Sequence, residues 1–197
     1  MLKIENVQIA GWGAAIRGMR NPKNSWERSD SGFGCETSDL HHCCVCEDGH
    51  TGSCPEAFTK YKIGPNDHNL MMNLAKGGPV HAKYRRMITV YVDITAPLYW
   101  WKEFDTYKVG TVANSTSTMH KIHSQPFAAE QFSCDRMSAE TRAVLDGLIT
   151  HLESLRLRFV ETKDKAYWDD IIQLLPSSYN QLRTCTMNYE NLLNMYR

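Results

Sequence analysis

The sequence has no excess of either charge, no long apolar run and no repeated segment. Lysine and arginine together number 22, as do aspartate and glutamate, so the formal net charge is zero. This balance excludes a broad basic face for nucleic acid but is compatible with a small anionic ligand. No segment approaches the run of about 20 apolar residues that a membrane helix needs. The first residues do not resemble a signal peptide, so we expect a cytoplasmic protein without membrane or nucleic-acid partners.

Cysteine is unevenly distributed. Five of the seven cysteines lie in the segment 35–54, and an odd number in a cytoplasmic chain argues against a disulfide framework. Three thiolates and one imidazole at the spacing of this segment form a ligand set that tetrahedral Zn²⁺ favours. The predicted ligands are Cys43, Cys46, His50 and Cys54, with Cys35, His41, His42 and Cys44 as spare candidates. The alternative is a reduced, Cys-rich loop without metal.

Two segments have the composition of β-strands. Residues 2–10 begin with alternating apolar and polar residues, and Gly11 ends the pattern. Residues 87–94 are dense in β-branched side chains and form the best strand candidate in the chain. Between these two strands, residues 17–34 are rich in polar residues and glycine and are predicted to be irregular.

Helix signals occur on both sides of residues 87–94. Asn66 or Asp67 is a candidate N-cap for a helix that Gly77 ends. Pro97 suits the first turn of a second helix, which Gly110 is expected to end. This second helix carries aromatic residues that could stack on a planar ligand, although core packing is the favoured explanation. These aromatic residues are Trp100, Trp101 and Phe104.

The C-terminal third is predicted to be helical. Ser138 caps a long helix with a single apolar stripe, and a short helix over 168–175 stops at Pro176. Residues 180–197 are predicted to form a last helix, which looks cut short at its end. Strands followed by helices indicate one α+β domain spanning 1–197. The stripe of the long helix comprises Val144, Leu145, Leu148, Ile149, Leu152, Leu155 and Phe159.

The order of features over residues 77–122 resembles that of the flavin-dependent thymidylate synthases. A turn containing Gly77 and His81 precedes the strand and the Trp-rich helix, as in that family. Where the family has Arg-His-Arg, this chain has Thr106-Tyr107-Lys108. After seven intervening residues, Thr116 stands at the family's serine, within a segment, 111–118, that holds five hydroxyl side chains.

A second similarity lies near the C-terminus. The family has a Leu-Pro pair, a Thr-x-Asn helix and an Asn- and Leu-rich turn with a functional arginine. This chain has Leu175-Pro176, Thr186-Met187-Asn188 and a final segment, 192–197, that ends in Arg197. The Cys-rich segment 35–54 lies outside the similarity and is therefore interpreted as an insertion in the single domain.

The resemblance implies an antiparallel sheet packed with long helices, and a homotetramer. It also implies reductive methylation of dUMP to dTMP with FAD, a reduced nicotinamide cofactor and methylenetetrahydrofolate. Arg197 takes the position of the catalytic arginine. The implied flavin contacts are His81, Tyr107, Lys108, Asn188 and Asn194, with Asn188 and Asn194 nearly on one face of the predicted helix. The implied substrate contacts are Glu103, Ser115, Thr116 and Ser117.

Two departures from the family pattern leave the activity open. Of the charged triplet, only Lys108 keeps a positive charge, and an ammonium cannot make the paired contacts of a guanidinium. The nucleotide-binding arginine before Leu-Pro is replaced by Asp169-Asp170-Ile171-Ile172. A non-catalytic flavin- or nucleotide-binding relative is therefore an alternative, and a zinc-bearing interaction module is a third.

Overall fold

The fold was analysed in a computed structural model, which describes residues 2–34, 60–107 and 109–196. The chain divides into two compact units. Unit 1 comprises Met1–Gln8 and Val90–Met187, and unit 2 comprises Ile9–Thr89 and Asn188–Arg197. Among the helices of the described ranges, none is long and apolar enough to cross a membrane.

Helices and an antiparallel sheet make up the described chain, so the predicted α+β class is confirmed. One sheet has four strands in the order β1-β4-β6-β5, and a second joins β2 to β3. The strands are β1 (Lys3–Ala10), β2 (Gly32–Gly34), β3 (Lys60–Lys62), β4 (Thr89–Pro97), β5 (Val112–Ser115) and β6 (Asn180–Asn188). The helices are α1 (Trp12–Arg20), α2 (Pro65–Lys76), α3 (Leu98–Phe104), α4 (Ala139–Thr162), α5 (Lys165–Leu174) and α6 (Tyr189–Tyr196).

The core of unit 1 is built on α4. As predicted, the Ser138 hydroxyl caps this helix by accepting a hydrogen bond from the amide of Thr141. Most of the predicted stripe is buried, but Val144 is 71% exposed, so that part of the prediction is wrong. The buried stripe is narrower than expected because α4 packs on α5 along one side only. The cluster comprises Ile122, Phe127, Phe132, Leu145, Ile149, Leu152, Leu155 and Ile171.

The prediction of a helix over 180–197 is wrong for its first half. Residues 180–188 form β6, and only Tyr189–Tyr196 is helical. Burial in β6 alternates with a period of two, because Gln181, Cys185 and Met187 face the core. Pairing with β5 over four residues satisfies the backbone of this segment, so a long-range contact overrides its local helical pattern.

The polar segment 111–118 is also more regular than a connecting loop. Its residues Val112–Ser115 form β5, which pairs antiparallel with β6. The preceding helix α3 ends at Phe104 and not at Gly110 as expected. Gly110 instead has a φ of 77°, and lies in the turn that leads into β5, where a glycine avoids steric strain.

Unit 2 packs α1 against α2. The core cluster joins Ala15 and Ile16 of α1 to Met71 of α2. The helix α1 was not predicted, and it extends into a segment expected to be irregular. Helix α2 ends at Gly77 as predicted, but its N-cap is Gly64 and neither Asn66 nor Asp67. Asp67 is excluded from capping because its carboxylate binds Arg20 in the interior.

Two glycines with positive φ allow a matched stability test. Gly11 has a φ of 94° and joins β1 to α1, where a Cβ would overlap the carbonyl oxygen of Met87. Gly78 has a φ of 91°, but a Cβ there meets no atom within 4 Å. We expect Gly11→Ala to lower the free energy of unfolding by about 2–3 kcal/mol and Gly78→Ala by about 1 kcal/mol. Urea denaturation checks both values, and equal losses would contradict the overlap.

Candidate functional site

Two predicted site residues of unit 1, the substrate contact Glu103 and the flavin contact Tyr107, lie at the C-terminal end of α3 and in the turn that follows. Glu103 is exposed, and its carbonyl accepts hydrogen bonds from the amide and hydroxyl of Thr106 at 3.0 and 2.7 Å. Tyr107 is half-buried, and its carbonyl accepts a hydrogen bond from the Thr111 hydroxyl at 2.7 Å. These backbone bonds fix the turn and leave the side chains of Glu103 and Tyr107 available for a ligand.

The predicted hydroxyl residues are placed by β5 and its pairing with β6. Ser115 is the last residue of β5, and it pairs with Arg183. The Thr116 amide and hydroxyl both donate to the carbonyl of Leu182, at 2.9 and 3.3 Å. The Ser117 hydroxyl accepts the amide of His120 at 2.8 Å. The structure therefore brings the three hydroxyls to one end of the β5–β6 pair.

An arginine that the sequence did not indicate stands beside these residues. The Arg183 guanidinium lies 4.3 Å from the centre of the Trp101 ring. Its Nη1 donates to Asp105 at 2.9 Å, and its Nε donates to the side-chain oxygen of Gln181 at 3.0 Å. The Trp101 indole donates to the Gln181 carbonyl at 3.0 Å. We refer to Trp101, Asp105, Gln181 and Arg183 as the Arg183 cluster.

Arg183 was missed because its segment was assigned to a helix. In β6, Gln181, Arg183 and Cys185 alternate toward one side of the strand, as a period of two requires. A strand assignment would have placed Arg183 on the same side as the buried Gln181. The Trp101 ring was expected to serve core packing, and it is 1% exposed, which confirms that expectation. Its outer face also holds the guanidinium.

A second polar group crosses neighbouring strands of the four-stranded sheet. The carboxylate of Asp93 in β4 accepts hydrogen bonds from Thr184 in β6 at 2.6 Å and from Asn6 in β1 at 2.8 Å. These two bonds, led by the one from Thr184, hold the pKa of Asp93 below its ordinary value. No local pattern indicates this group, because its members are far apart along the chain. Its hydrogen bonds link three strands.

The buried thiol of Cys185 lies within β6, two residues after Arg183. Burial raises the pKa of this thiol from 9.0 to about 11. Because only the thiolate is alkylated, we expect Cys185 to react with iodoacetamide at pH 8 at least about 100-fold more slowly than glutathione. Peptide mapping by mass spectrometry measures the rate. In urea the same cysteine is expected to react at the ordinary rate, and fast labelling of the folded protein would contradict this placement.

In unit 2, the predicted flavin contact His81 lies in the turn after α2. Its ring packs on Gly77, where a Cβ would stand only 3.0 Å from the ring carbon Cδ2. This contact explains why the Gly- and His-containing turn needs a glycine at that position. His81 also lines a cavity of about 450 Å³ whose walls are largely apolar. The other lining residues are Gly18, Met19, Pro22, Lys23, Leu74, Val80, Lys83, Tyr84 and Met87.

The predicted shared helical face for Asn188 and Asn194 is wrong. Asn188 ends β6 and caps α6, because its side-chain oxygen accepts the Asn191 amide while the Asn191 side chain accepts the Asn188 amide, both at 3.0 Å. Asn194 lies within α6 and is exposed. The helix-capping role weighed against ligand binding is thus present at Asn188.

Six predicted site residues lie outside the described residues. They are the flavin contact Lys108, the catalytic candidate Arg197 and the zinc candidates Cys43, Cys46, His50 and Cys54. Within the described ranges, no group of three or more His, Cys, Asp or Glu side chains is arranged to hold a metal ion.

Comparison with solved structures identifies proteins that have the same fold. Thymidylate synthase X from Helicobacter pylori, solved with FAD and dUMP, matches with a TM-score of 0.64 at 15% identity. The match covers 98% of this chain and 81% of that one. The UMP/dUMP methylase PolB from Streptomyces cacaoi, solved with 5-Br UMP, matches with a TM-score of 0.55 at 9% identity, over 99% of this chain and 75% of that one.

The chain shares their fold. The resemblance seen in the sequence is therefore confirmed at the level of architecture. No family model matches the sequence, and no curated protein matches it. At these identities the similarity carries the fold, while the chemistry depends on the residues of this chain.

Proposed function

We propose that the protein is a divergent flavin-dependent thymidylate synthase-like enzyme that methylates dUMP reductively to dTMP. The proposed reaction uses FAD, a reduced nicotinamide cofactor and methylenetetrahydrofolate. The observation that carries this proposal is the shared fold over 98% of the chain with an enzyme solved with FAD and dUMP. The position of Glu103 and of the three hydroxyls beside a guanidinium in unit 1 supports it.

The side chains of unit 1 suit a nucleotide. The exposed carboxylate of Glu103 can accept the imide hydrogen of a uracil ring. The hydroxyls of Ser115 and Ser117 can donate to phosphate oxygens without adding charge, and that of Thr116 can do so by giving up its bond to the Leu182 carbonyl. Their backbones are fixed by strand pairing and by the turn, so the cost of ordering them is met before the ligand arrives.

The cavity beside His81 suits a planar ring. Its largely apolar walls match the pattern of a cofactor site, and the polar side chains of His81, Lys23 and Lys83 can fix the orientation of the ligand. When bound, a flavin supplies hydride chemistry there. We propose that His81 contacts the flavin and that Asn194, also in unit 2, hydrogen-bonds to it. Tyr107 of unit 1 is proposed as a flavin contact on the family resemblance alone. Because the side-chain oxygen of Asn188 caps α6, the group that Asn188 can offer the flavin is its side-chain NH2.

Several parts of the proposal concern residues or assembly outside the described structure. Lys108 is proposed to contact the cofactor, and Arg197 is proposed as the catalytic arginine. We further propose that the whole chain acts as one functional domain and assembles as a homotetramer. A structural zinc on Cys43, Cys46, His50 and Cys54 remains a proposal, tested by metal analysis. A substoichiometric zinc content would count against it.

The proposed reaction is tested by dTMP formation. Protein reduced anaerobically with NADPH in the presence of FAD is supplied with dUMP and methylenetetrahydrofolate, and dTMP is measured by chromatography. Glu103→Gln is expected to lower the rate at least about 10-fold, because the neutral amide accepts the imide hydrogen more weakly. Glu140→Gln, an exposed change in the first turn of α4, is the matched control and should leave the rate unchanged.

A second candidate function is a non-catalytic nucleotide- or flavin-binding relative. One observation favours it: Ile171, in the segment where the family has a nucleotide-binding arginine, is fully buried against α4. That part of α5 has thus become core, and its neighbours Asp169 and Asp170 are exposed acids. Binding of FAD and dUMP without dTMP formation would support this candidate over the enzyme.

A further inference from the structure

The structure leaves a charge problem at the proposed nucleotide site. A phosphate monoester carries close to two negative charges at neutral pH, and proteins pair such groups with guanidinium or ammonium groups. The triplet has lost both arginines of the family pattern, and two of its members, Thr106 and Tyr107, are uncharged. The hydroxyls of 115–117 can share hydrogen bonds with a phosphate but cannot balance its charge. Another cation is needed beside them.

Arg183 lies beside these hydroxyls and can supply the positive charge. It pairs with Ser115 across the β5–β6 ladder, so both side chains stand on the same side of the sheet about 5 Å apart at their Cβ atoms. Its Nη1 also reaches Asp105, the residue immediately before the triplet, at 2.9 Å. The guanidinium therefore lies between the hydroxyl segment and the start of the triplet.

The guanidinium is also held ready for a ligand. The Trp101 ring supports one of its faces at 4.3 Å, and Gln181 accepts a hydrogen bond from Nε. Because these contacts fix a long side chain before binding, little rotamer entropy is lost when an anion arrives. The Arg183 side chain is 17% exposed. Nη2 makes no hydrogen bond to any residue that the structure describes, which leaves one edge of the guanidinium for a ligand.

Asp105 affects how tightly Arg183 can bind an anion. The Asp105 side chain is 50% exposed. Its ion pair with Arg183 is therefore weak, because solvent screens an exposed carboxylate. A phosphate that approaches Arg183 is repelled by the same carboxylate. Asp105 therefore orients the guanidinium while lowering the affinity for an anion.

We propose that Arg183 binds the phosphate of the nucleotide and replaces a guanidinium that the triplet has lost. The assignment rests on the proposed function, in that the site takes a uridine nucleotide. It makes Arg183 a binding residue and Asp105 its positioning partner. The same phosphate chemistry occurs in FAD, so the test separates the nucleotide from the cofactor.

The test compares dUMP with deoxyuridine, which lacks the phosphate, by calorimetric titration of the full chain. Arg183→Gln is expected to weaken dUMP about 10- to 100-fold and to leave deoxyuridine and FAD unchanged, because one charge-assisted contact is removed. Asp105→Asn is expected to strengthen dUMP about 3-fold or more without changing deoxyuridine. Arg142→Gln, which removes an arginine paired with the exposed Asp146 on α4, is the matched control and should change neither.

The outcomes separate the two proposals. Equal dUMP affinity for the wild type and Arg183→Gln would overturn the assignment while leaving the proposed function intact. If Arg183→Gln loses affinity for dUMP and deoxyuridine in parallel, Arg183 is structural. If the variant loses affinity for FAD alone, Arg183 serves the cofactor. Either result would also overturn the assignment. A wild-type chain that binds neither dUMP nor deoxyuridine refutes the proposed function and the assignment together. If Arg183→Gln fails to fold, the Asp105→Asn result decides, because a gain in affinity cannot arise from misfolding.

Discussion

Replacing Asp67 with alanine is expected to lower the free energy of unfolding by about 3–5 kcal/mol, because it leaves a buried arginine without its counter-charge. The side chains of Arg20 and Asp67 are 4% and 0% exposed, and their atoms Nε and Oδ1 are 2.6 Å apart. The other Asp67 oxygen accepts hydrogen bonds from the hydroxyls of Ser29 and Ser31 at 2.8 and 2.6 Å. The carboxylate thus joins α1, α2 and the segment between them.

Urea denaturation of Asp67→Ala measures this loss. The control is Asp146→Ala, which breaks the exposed Arg142–Asp146 pair on α4 and should cost no more than about 0.5 kcal/mol. Similar losses for the two variants would show that Arg20 finds another partner or that the interior of unit 2 admits water.

The same carboxylate makes stability depend on pH. Burial raises the pKa of Asp67, but hydrogen bonds from the two serine hydroxyls and Arg20 outweigh burial and hold it below its ordinary value. The folded protein therefore binds the proton less readily than the unfolded chain does. The stabilisation is present above the ordinary carboxyl pKa and is lost as pH falls through the lower, folded value. Asp67→Ala should lack this part of the acid dependence.

Replacing Trp101 with alanine is expected to cost about 3–5 kcal/mol, as for other large buried aromatic residues, and to abolish tight nucleotide binding. Trp101 packs edge-on against Phe104 with ring centres 5.2 Å apart, and it supports Arg183 on its face. Its loss leaves a cavity under α3, removes the donor to the Gln181 carbonyl and frees the guanidinium to adopt other rotamers. Stability and binding therefore fall together.

Two variants separate these effects. Trp101→Phe keeps an aromatic face but loses the indole donor, so we expect a smaller loss of about 1–3 kcal/mol with dUMP binding retained. Tyr99→Ala removes an exposed side chain of the same helix and should change stability by no more than about 0.5 kcal/mol. Urea denaturation and dUMP titration measure both. Normal dUMP binding by Trp101→Ala, or loss of dUMP binding by a folded Trp101→Phe, would contradict the stacking argument.

The sequence predicted those parts of the fold whose signals are local. The Ser138 cap, the end of α2 at Gly77 and the β-branched composition of β4 each act within a few residues of the structure they determine. Their element types, and most of their boundaries, agree with the structure. The order of these elements also sufficed to indicate the fold family.

The errors fall where pairing at long range decides the structure. Residues 180–188 have the apolar spacing of a helix, yet they form β6 because β5 and the neighbouring strand β4 satisfy their backbone. For the same reason, the sequence indicates only part of the proposed site. Glu103 and the hydroxyls were named, but Arg183 was not, since its contact with Asp105 joins residues 78 positions apart. No local pattern carries such a contact.

The decisive measurement is the visible absorbance spectrum of the full chain, loaded with FAD, passed over gel filtration and then titrated with dUMP. A flavin- and nucleotide-binding protein should retain about one flavin per chain and show a saturable change in the flavin band when dUMP is added. A chain that elutes without flavin and gives no response to dUMP would contradict the proposed function.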